Sequence, residues 1–283
     1  MKWVSYKSRS LERIVLAEEW RIMGLDVNDA YMNMAIDEAI LTARIKELVP
    51  NTLRFYLWKP SAVSIGRFQN VFKEIHIENC QRHDVDIVRR ITGGGAVYHD
   101  FKGEITYSVI IKEEDLETKD VIASYNTICN GLIETTKILG VNANFQPGDQ
   151  RNCPNLIIDG KKISGSSQRH KNGVILQHGT FLIDIDLVKM FTFLRVPWAK
   201  TIIDVICIAR ERITSIKQEL TLNIQVEKIY HNLIEGFQKA FNVKFPKEEM
   251  LTVYEQKLAE KLKDEKYSTR KWIFERLVGK KTP

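Results

Sequence analysis

The sequence predicts an α/β (α+β) fold: a mixed β-sheet flanked by helices. Three observations carry that expectation. Long segments place apolar residues at helical spacing, short strand-like runs cluster between them, and an Asp-Gly pair joins two such runs. Strands in clusters, with helices between and after them, suit a mixed sheet better than a regularly alternating parallel one.

Asp29 is placed to cap a helix reaching about Leu48, with Met32, Ile36, Ala39, Ile40 and Ala43 on one face. Thr52 to Leu57 and Ala62 to Ile65 read as strands, separated at Lys59-Pro60, where proline removes a donor. Val85 to Arg90 reads as a strand entering the turn Gly93-Gly94-Gly95, and Ile105 to Ile111 as another. A second amphipathic helix spans Val121 to Leu139, and Gly140 is placed to end it. Leu156-Ile157-Ile158 and Lys161-Lys162-Ile163 flank Asp159-Gly160, which suits a type I′ hairpin turn. Val174 to Ile185 continues the sheet. From Val188 onward the pattern is mainly helical, with helices expected at Val226 to Phe241 and Met250 to Lys263.

With 283 residues and 44% hydrophobic content, the chain can form one large domain with a small appendage. Residues 1–245 are expected to form the catalytic domain and residues 246–283 a helical appendage. No apolar run approaches the roughly 18 residues of a membrane span, and the first residues lack a secretory signal, so a cytoplasmic protein with no membrane association is expected. Lys and Arg exceed Asp and Glu by 42 to 36, a net +6 without a dense basic tract. That balance suits an anionic ligand or an acidic protein partner, and no nucleic acid is expected. The four cysteines are scattered without a C-x-x-C pair, so neither a metal site nor a disulfide framework is implied. Cys80, Cys129 and Cys207 read as buried, weakly polar side chains; Cys153 is considered below.

The most informative stretch is Arg89-Arg90-Ile91-Thr92-Gly93-Gly94-Gly95-Ala96-Val97-Tyr98-His99-Asp100. Three glycines let backbone amides turn inward as an anion nest. Arg89 and Arg90 can supply fixed positive charge to a phosphate or carboxylate. A solvated turn after two surface arginines is the simpler alternative. Neither a Walker loop nor a Rossmann fingerprint is present.

The whole string resembles the Arg-Arg-x-x-Gly-Gly-Gly-x-Val-aromatic-His-Asp pattern of the lipoate–protein ligase A family. Leu53 to Trp58 with Ser64 to Asn70 resembles the strands that precede it. Asp159 to Ser166 with Gln177 to Thr180 resembles the family's second active-site block, and Lys266 to Trp272 the end of the short archaeal-type ligases and octanoyltransferases. The resemblance implies the biotin/lipoate ligase catalytic-domain architecture. It also implies an ATP- and Mg²⁺-dependent, AMP-forming enzyme that activates lipoate or octanoate to an acyl-adenylate. The acyl group would then pass to a lysine of a lipoyl-acceptor domain, such as a 2-oxoacid dehydrogenase E2 subunit or a glycine-cleavage H protein. By that resemblance Lys162 is the catalytic lysine. Arg90, the Gly95-Ala96-Val97-Tyr98 backbone and Asn152 hold the nucleotide, while Gly93, Gly94 and His99 line the acyl channel. A short chain of this type implies a separate accessory-domain polypeptide for adenylation.

Adjacent strand residues point to opposite faces, so Lys161 and Lys162 cannot both enter one pocket. His178 could line the acyl pocket or serve structure alone. After Asn152 the family pattern has an aspartate, whereas this chain has Cys153. That departure opens a second reading. Related octanoyltransferases form a thioester on a cysteine without ATP, and Lys162 could lower the pKa of a Cys153 nucleophile. A third reading is a binding subunit that keeps the fold but not the chemistry.

Overall fold

The computed structural model describes residues 20–275 except 117, 150–152, 197, 198, 200, 222, 223 and 246. In chain order the elements are β1 (Trp20–Asn28), α1 (Ala30–Ile45), β2 (Asn51–Trp58), β3 (Ala62–Ile65), α2 (Val71–Glu74), α3 (Ile77–Arg82), β4 (Asp86–Arg89), β5 (Val97–His99) and β6 (Glu104–Lys112). Then follow α4 (Val121–Ile138), β7 (Asn144–Gln146), β8 (Asn155–Ile158), β9 (Lys161–Lys171), β10 (Val174–Leu182), α5 (Leu187–Phe193), α6 (Ile202–Arg212) and α7 (Ile216–Leu220). The chain continues with α8 (Val226–Phe241), β11 (Glu248–Glu249), α9 (Val253–Leu262), a π-helical turn (Lys263–Tyr267) and α10 (Arg270–Phe274).

The strands form a mixed sheet in the order β11-β1-β2-β6-β10-β9-β8-β7 and a smaller one in the order β4-β3-β5. Pairing is parallel for β1 with β2 and β11, and antiparallel from β2 onward across the large sheet. The mixed, helix-flanked sheet expected from the sequence is the one found.

Period-two alternation divides the large sheet into its two faces. Leu53, Phe55, Tyr107 and Val109 pack against Ile128 and Leu132 of α4 and Leu233 and Phe237 of α8. Tyr56, Trp58, Ile110 and Leu176 point the other way, onto Met34, Ala35 and Ile40 of α1. Both long helices start where side chains satisfy their orphan amides: Asp29 accepts from Met32 N, and Asp120 from Ala123 N. The hairpin turn has positive φ at both Asp159 and Gly160, as type I′ geometry requires. β1 has no counterpart among the expected strands. It mixes apolar residues with the buried Arg21 and carries a bulge between Met23 and Leu25, which breaks the alternation that marks a strand.

The last helices are packed into the core. Arg21 of β1 and Glu255 of α9 form an ion pair, 1% and 0% exposed, with Nη1 donating to Oε2 at 3.1 Å. Glu255 also closes the capping box with Thr252. Glu255→Ala would leave a buried guanidinium unpaired, and we expect it to cost about 3–5 kcal/mol of unfolding free energy by chemical denaturation.

Arg89 shows how this packing overrides a surface reading. It was expected to present charge to an anion, yet it is fully buried and binds only backbone carbonyls. Those acceptors are Gly66, Arg67 and Gln69 on one side and Trp272 and Ile273 on the other. Five carbonyls around one guanidinium fasten the end of the chain to the loop after β3. Among the described residues no helix is long and apolar enough to cross a membrane.

Candidate active site

Where the small sheet faces the large one, a cleft of about 120 Å³ opens. Strand alternation again decides what lines it. On β3, Val63 and Ile65 face the apolar cluster around Phe193, while Ser64 between them faces the cleft. The other walls include Arg90, Gly94 to Val97 and His99 on one side, and Cys153, Lys162, Gly165 to Ser167 and His178 to Thr180 on the other. Gly93 is not among the lining residues, and its carbonyl accepts from Arg90 and from Ser167 Oγ. The Tyr98 side chain points away, against Phe193 at 5.0 Å between ring centroids. Asn152 lies outside the described residues.

Arg90 organises the glycine loop. Its Nη2 donates to Gly93 O at 2.7 Å and Gly95 O at 2.6 Å, and its Nη1 to Ser64 O and Oγ at 3.1 Å each. Burial pushes its pKa down to about 10, against the pull of Cys153, so it stays cationic at neutral pH. Gly94 is the tight point, with φ +85°. A Cβ there would lie 3.1 Å from Arg90 Nη2 and 3.2 Å from Cys153 Sγ, which brings guanidinium and thiol together over one glycine. Gly66 is a requirement that the sequence reading missed. A Cβ on it would come within 2.1 Å of Gly94 O, a backbone atom that cannot move aside. Gly66→Ala is expected to displace the loop and reduce activity at least tenfold, as steady-state rates on a folded variant would show.

Lys162 enters the cleft and Lys161 does not, as the alternation of β9 requires. The Lys162 ammonium is held below its ordinary value by desolvation, with Arg90 adding to the effect and Cys153 opposing it. Cys153 opposes the pKa depression of both Arg90 and Lys162, so the thiol lies within electrostatic reach of both side chains. The other cysteines differ. Cys80 is buried in the small-sheet core with its thiol pushed up to about 11, and Cys129 is likewise raised by burial. Cys207, expected inside, is exposed on α6.

Two histidines face the same space, each anchored by a carboxylate. His178 Nδ1 lies 3.0 Å from Asp37 Oδ2 and its Nε2 lies 2.7 Å from Thr92 Oγ1. His99 Nδ1 lies 2.6 Å from Glu104 Oε1 and its Nε2 lies 2.8 Å from Ser64 Oγ. Asp37 and Glu104 escaped the sequence reading because each sits in an apolar run whose periodicity marks only packing.

Residues 29–238 match the lipoyl protein ligase A/B catalytic domain model. The chain belongs to that family. Within it, the protein is 35% identical to the octanoyltransferase LipM of Clostridioides difficile, over 89% of this chain and 99% of the relative. It is 30% identical to the LipM of Bacillus subtilis, over 92% of this chain and 99% of the relative. A bipartite lipoate protein ligase from Thermoplasma acidophilum superposes with a TM-score of 0.79, at 29% identity over 94% of this chain and all of that one. A lipoate-protein ligase A bound with ATP superposes with a TM-score of 0.78, at 28% identity over 90% of this chain and 98% of that one.

These relationships correct the expected activity. Near-full-length relatives at up to 35% identity are named octanoyltransferases, which overturns the ATP-dependent, AMP-forming ligase along with its ATP and Mg²⁺. Of the residues expected to hold a nucleotide, Arg90 and Gly95 to Val97 line the cleft. The physical reason is on the cleft wall. Where the ligase pattern has an aspartate, this member has a thiol beside Arg90 and Lys162, and the Arg90 donors are already engaged by the loop's own carbonyls. Among the described residues no group of three or more His, Cys, Asp or Glu side chains is placed to hold a metal ion.

Proposed function

We propose that the protein transfers an octanoyl group from a carrier thioester to a lysine of a lipoyl-acceptor domain, with Cys153 as the nucleophile and without ATP. The observation that carries this reading is the half-buried Cys153 thiol in the cleft, under the joint influence of Arg90 and Lys162. The thiolate is the reactive form of a cysteine nucleophile.

In the first half-reaction Cys153 gives its proton to the Lys162 amine, and Sγ attacks the thioester carbonyl. A new C–S bond forms, the carrier's C–S bond breaks, and the proton leaves on the carrier thiol. In the second, the acceptor lysine nitrogen attacks the octanoyl–Cys153 carbonyl, the C–N bond forms, and the electron pair of the breaking C–S bond returns to Sγ. Burial of Lys162 matters in both, because desolvation disfavours its ammonium and so eases return of the proton. Arg90 stays charged throughout and offsets the sulfur anion.

The apolar rings of Tyr56 and Trp58 and the side chain of Met34 give the cleft an acyl-compatible wall. The net charge of +6 suits an acidic acceptor domain. An accessory polypeptide, expected for adenylation, has no task in a transfer without ATP. The deciding experiment incubates the protein with octanoyl-carrier protein and no nucleotide, then digests it and locates the adduct by mass. One octanoyl group on Cys153, passed on when an acceptor domain is added, is the expected result. Transfer that requires ATP and leaves Cys153 unmodified would sink the reading.

A further inference from the structure

The amide-forming step carries a proton load that Lys162 alone does not meet. An acceptor lysine arrives as an ammonium. It must lose one proton to become a nucleophile and a second as the amide forms. Lys162 can take one of them.

The second acceptor is built into the wall formed by β3, β5 and β6. Glu104 Oε1 accepts from His99 Nδ1 at 2.6 Å and from the Thr106 hydroxyl at 2.8 Å. That places the imidazole proton on Nδ1 and leaves Nε2 as an acceptor for the Ser64 hydroxyl at 2.8 Å. Arg90 Nη1 donates to the same Ser64 oxygen at 3.1 Å, so the Ser64 proton is directed at His99. Trp58 fixes the ring plane by stacking on it at 4.0 Å between centroids, and its own Nε1 is bound to Thr106. Ser64 and His99 both line the cleft, whereas Glu104 is buried behind them.

One atom in this set has no structural use. Glu104 Oε2 is buried without a hydrogen-bond partner. A buried carboxylate left half satisfied is costly, and a proton on His99 offsets that cost by turning its neighbour into an imidazolium. Of the other charged or titratable groups around the cleft, Arg90 follows β4 and His178 comes from β10.

We propose that Ser64, His99 and Glu104 form a proton relay for the amide-forming half-reaction, with Ser64 Oγ meeting the incoming ammonium. The relay rests on the octanoyl-transfer reading above and deepens it. The ammonium passes one proton to Ser64 Oγ as the Ser64 proton moves to His99 Nε2. The freed amine attacks the octanoyl–Cys153 carbonyl, the C–N bond forms and the C–S bond breaks, with its electron pair left on Sγ. The second nitrogen proton goes to the Lys162 amine. Three hydrogens on the ammonium become one on the amide, one on His99 and one on Lys162.

The test separates the two half-reactions in wild type, Ser64→Ala, His99→Gln and Glu104→Gln. Octanoyl loading from octanoyl-carrier protein is followed by intact mass, and single-turnover transfer to an acceptor domain is followed across pH. For Ser64→Ala and His99→Gln, transfer is expected to fall about 10²-fold further than loading does. That deficit is expected to shrink as rising pH deprotonates the acceptor amine in solution. A deficit equal in both half-reactions, or one independent of pH, would mark a merely structural network and overturn the relay. An octanoyl group found on Ser64 would also overturn it, by making Ser64 a nucleophile. Should Glu104→Gln fail to fold, the Ser64 and His99 variants carry the test unaided. Wild type that never carries octanoyl on Cys153 refutes the transfer reading itself, an outcome distinct from a loaded enzyme whose relay variants transfer normally.

Discussion

Cys153→Ser is expected to lower octanoyl transfer by about 10³-fold or more while leaving the fold intact. The side chain stays the same size and lies half-buried in an open cleft, so no cavity or clash is introduced. What changes is the nucleophile. A serine hydroxyl is a far weaker nucleophile than a thiol, because its oxygen gives up a proton much less readily. Steady-state transfer from an octanoyl-carrier protein, with thermal unfolding of the same preparations, checks both halves of the expectation. A variant with wild-type transfer would make Cys153 a bystander.

The second large effect is expected at Lys162. Lys162→Met should reduce transfer by about 10²–10³-fold by removing the group that takes and returns the proton and faces the developing charge. It should also stabilise the protein at neutral pH, because a desolvated ammonium is replaced by an apolar side chain of similar length. The sign follows from the depressed folded pKa of Lys162. Between that value and the ordinary 10.5, the unfolded chain binds more protons than the folded one, so wild-type stability rises with pH. The advantage of the variant is therefore full below the folded value and fades as pH approaches 10.5. Unfolding midpoints of the two proteins at several pH values read this directly. A variant less stable than wild type throughout would mean that Lys162 holds the hairpin in place. The loss of activity with a gain of stability is the trade expected of a strained catalytic group.

Much of the scaffold was legible because it follows local rules. The helices α1, α4 and α8 come from apolar spacing plus caps, and the hairpin before Lys162 comes from Asp-Gly chemistry. The glycine loop, Lys162 and Cys153 were legible as chemistry-bearing residues, and the structure gathers them in one cleft. Arg89 and Arg90 were not separable by type. They are adjacent and identical, and only β4 alternation sends one toward the C-terminal helix and the other toward the cleft. Cys207 failed for a similar reason: a cysteine in an apolar helical run reads as buried, but its helix turns that position to solvent.

The sequence by itself determined the fold class and the family, because periodicity, turns and short motifs are properties of neighbouring residues. Tertiary structure decided which cation accompanies the thiol, which arginine is structural, and that Ser64, His99 and Glu104 stand in line. Those decisions join residues 5 and 35 positions apart on separate strands. Such contacts are set by strand register and sheet-against-sheet packing, and no local pattern encodes them.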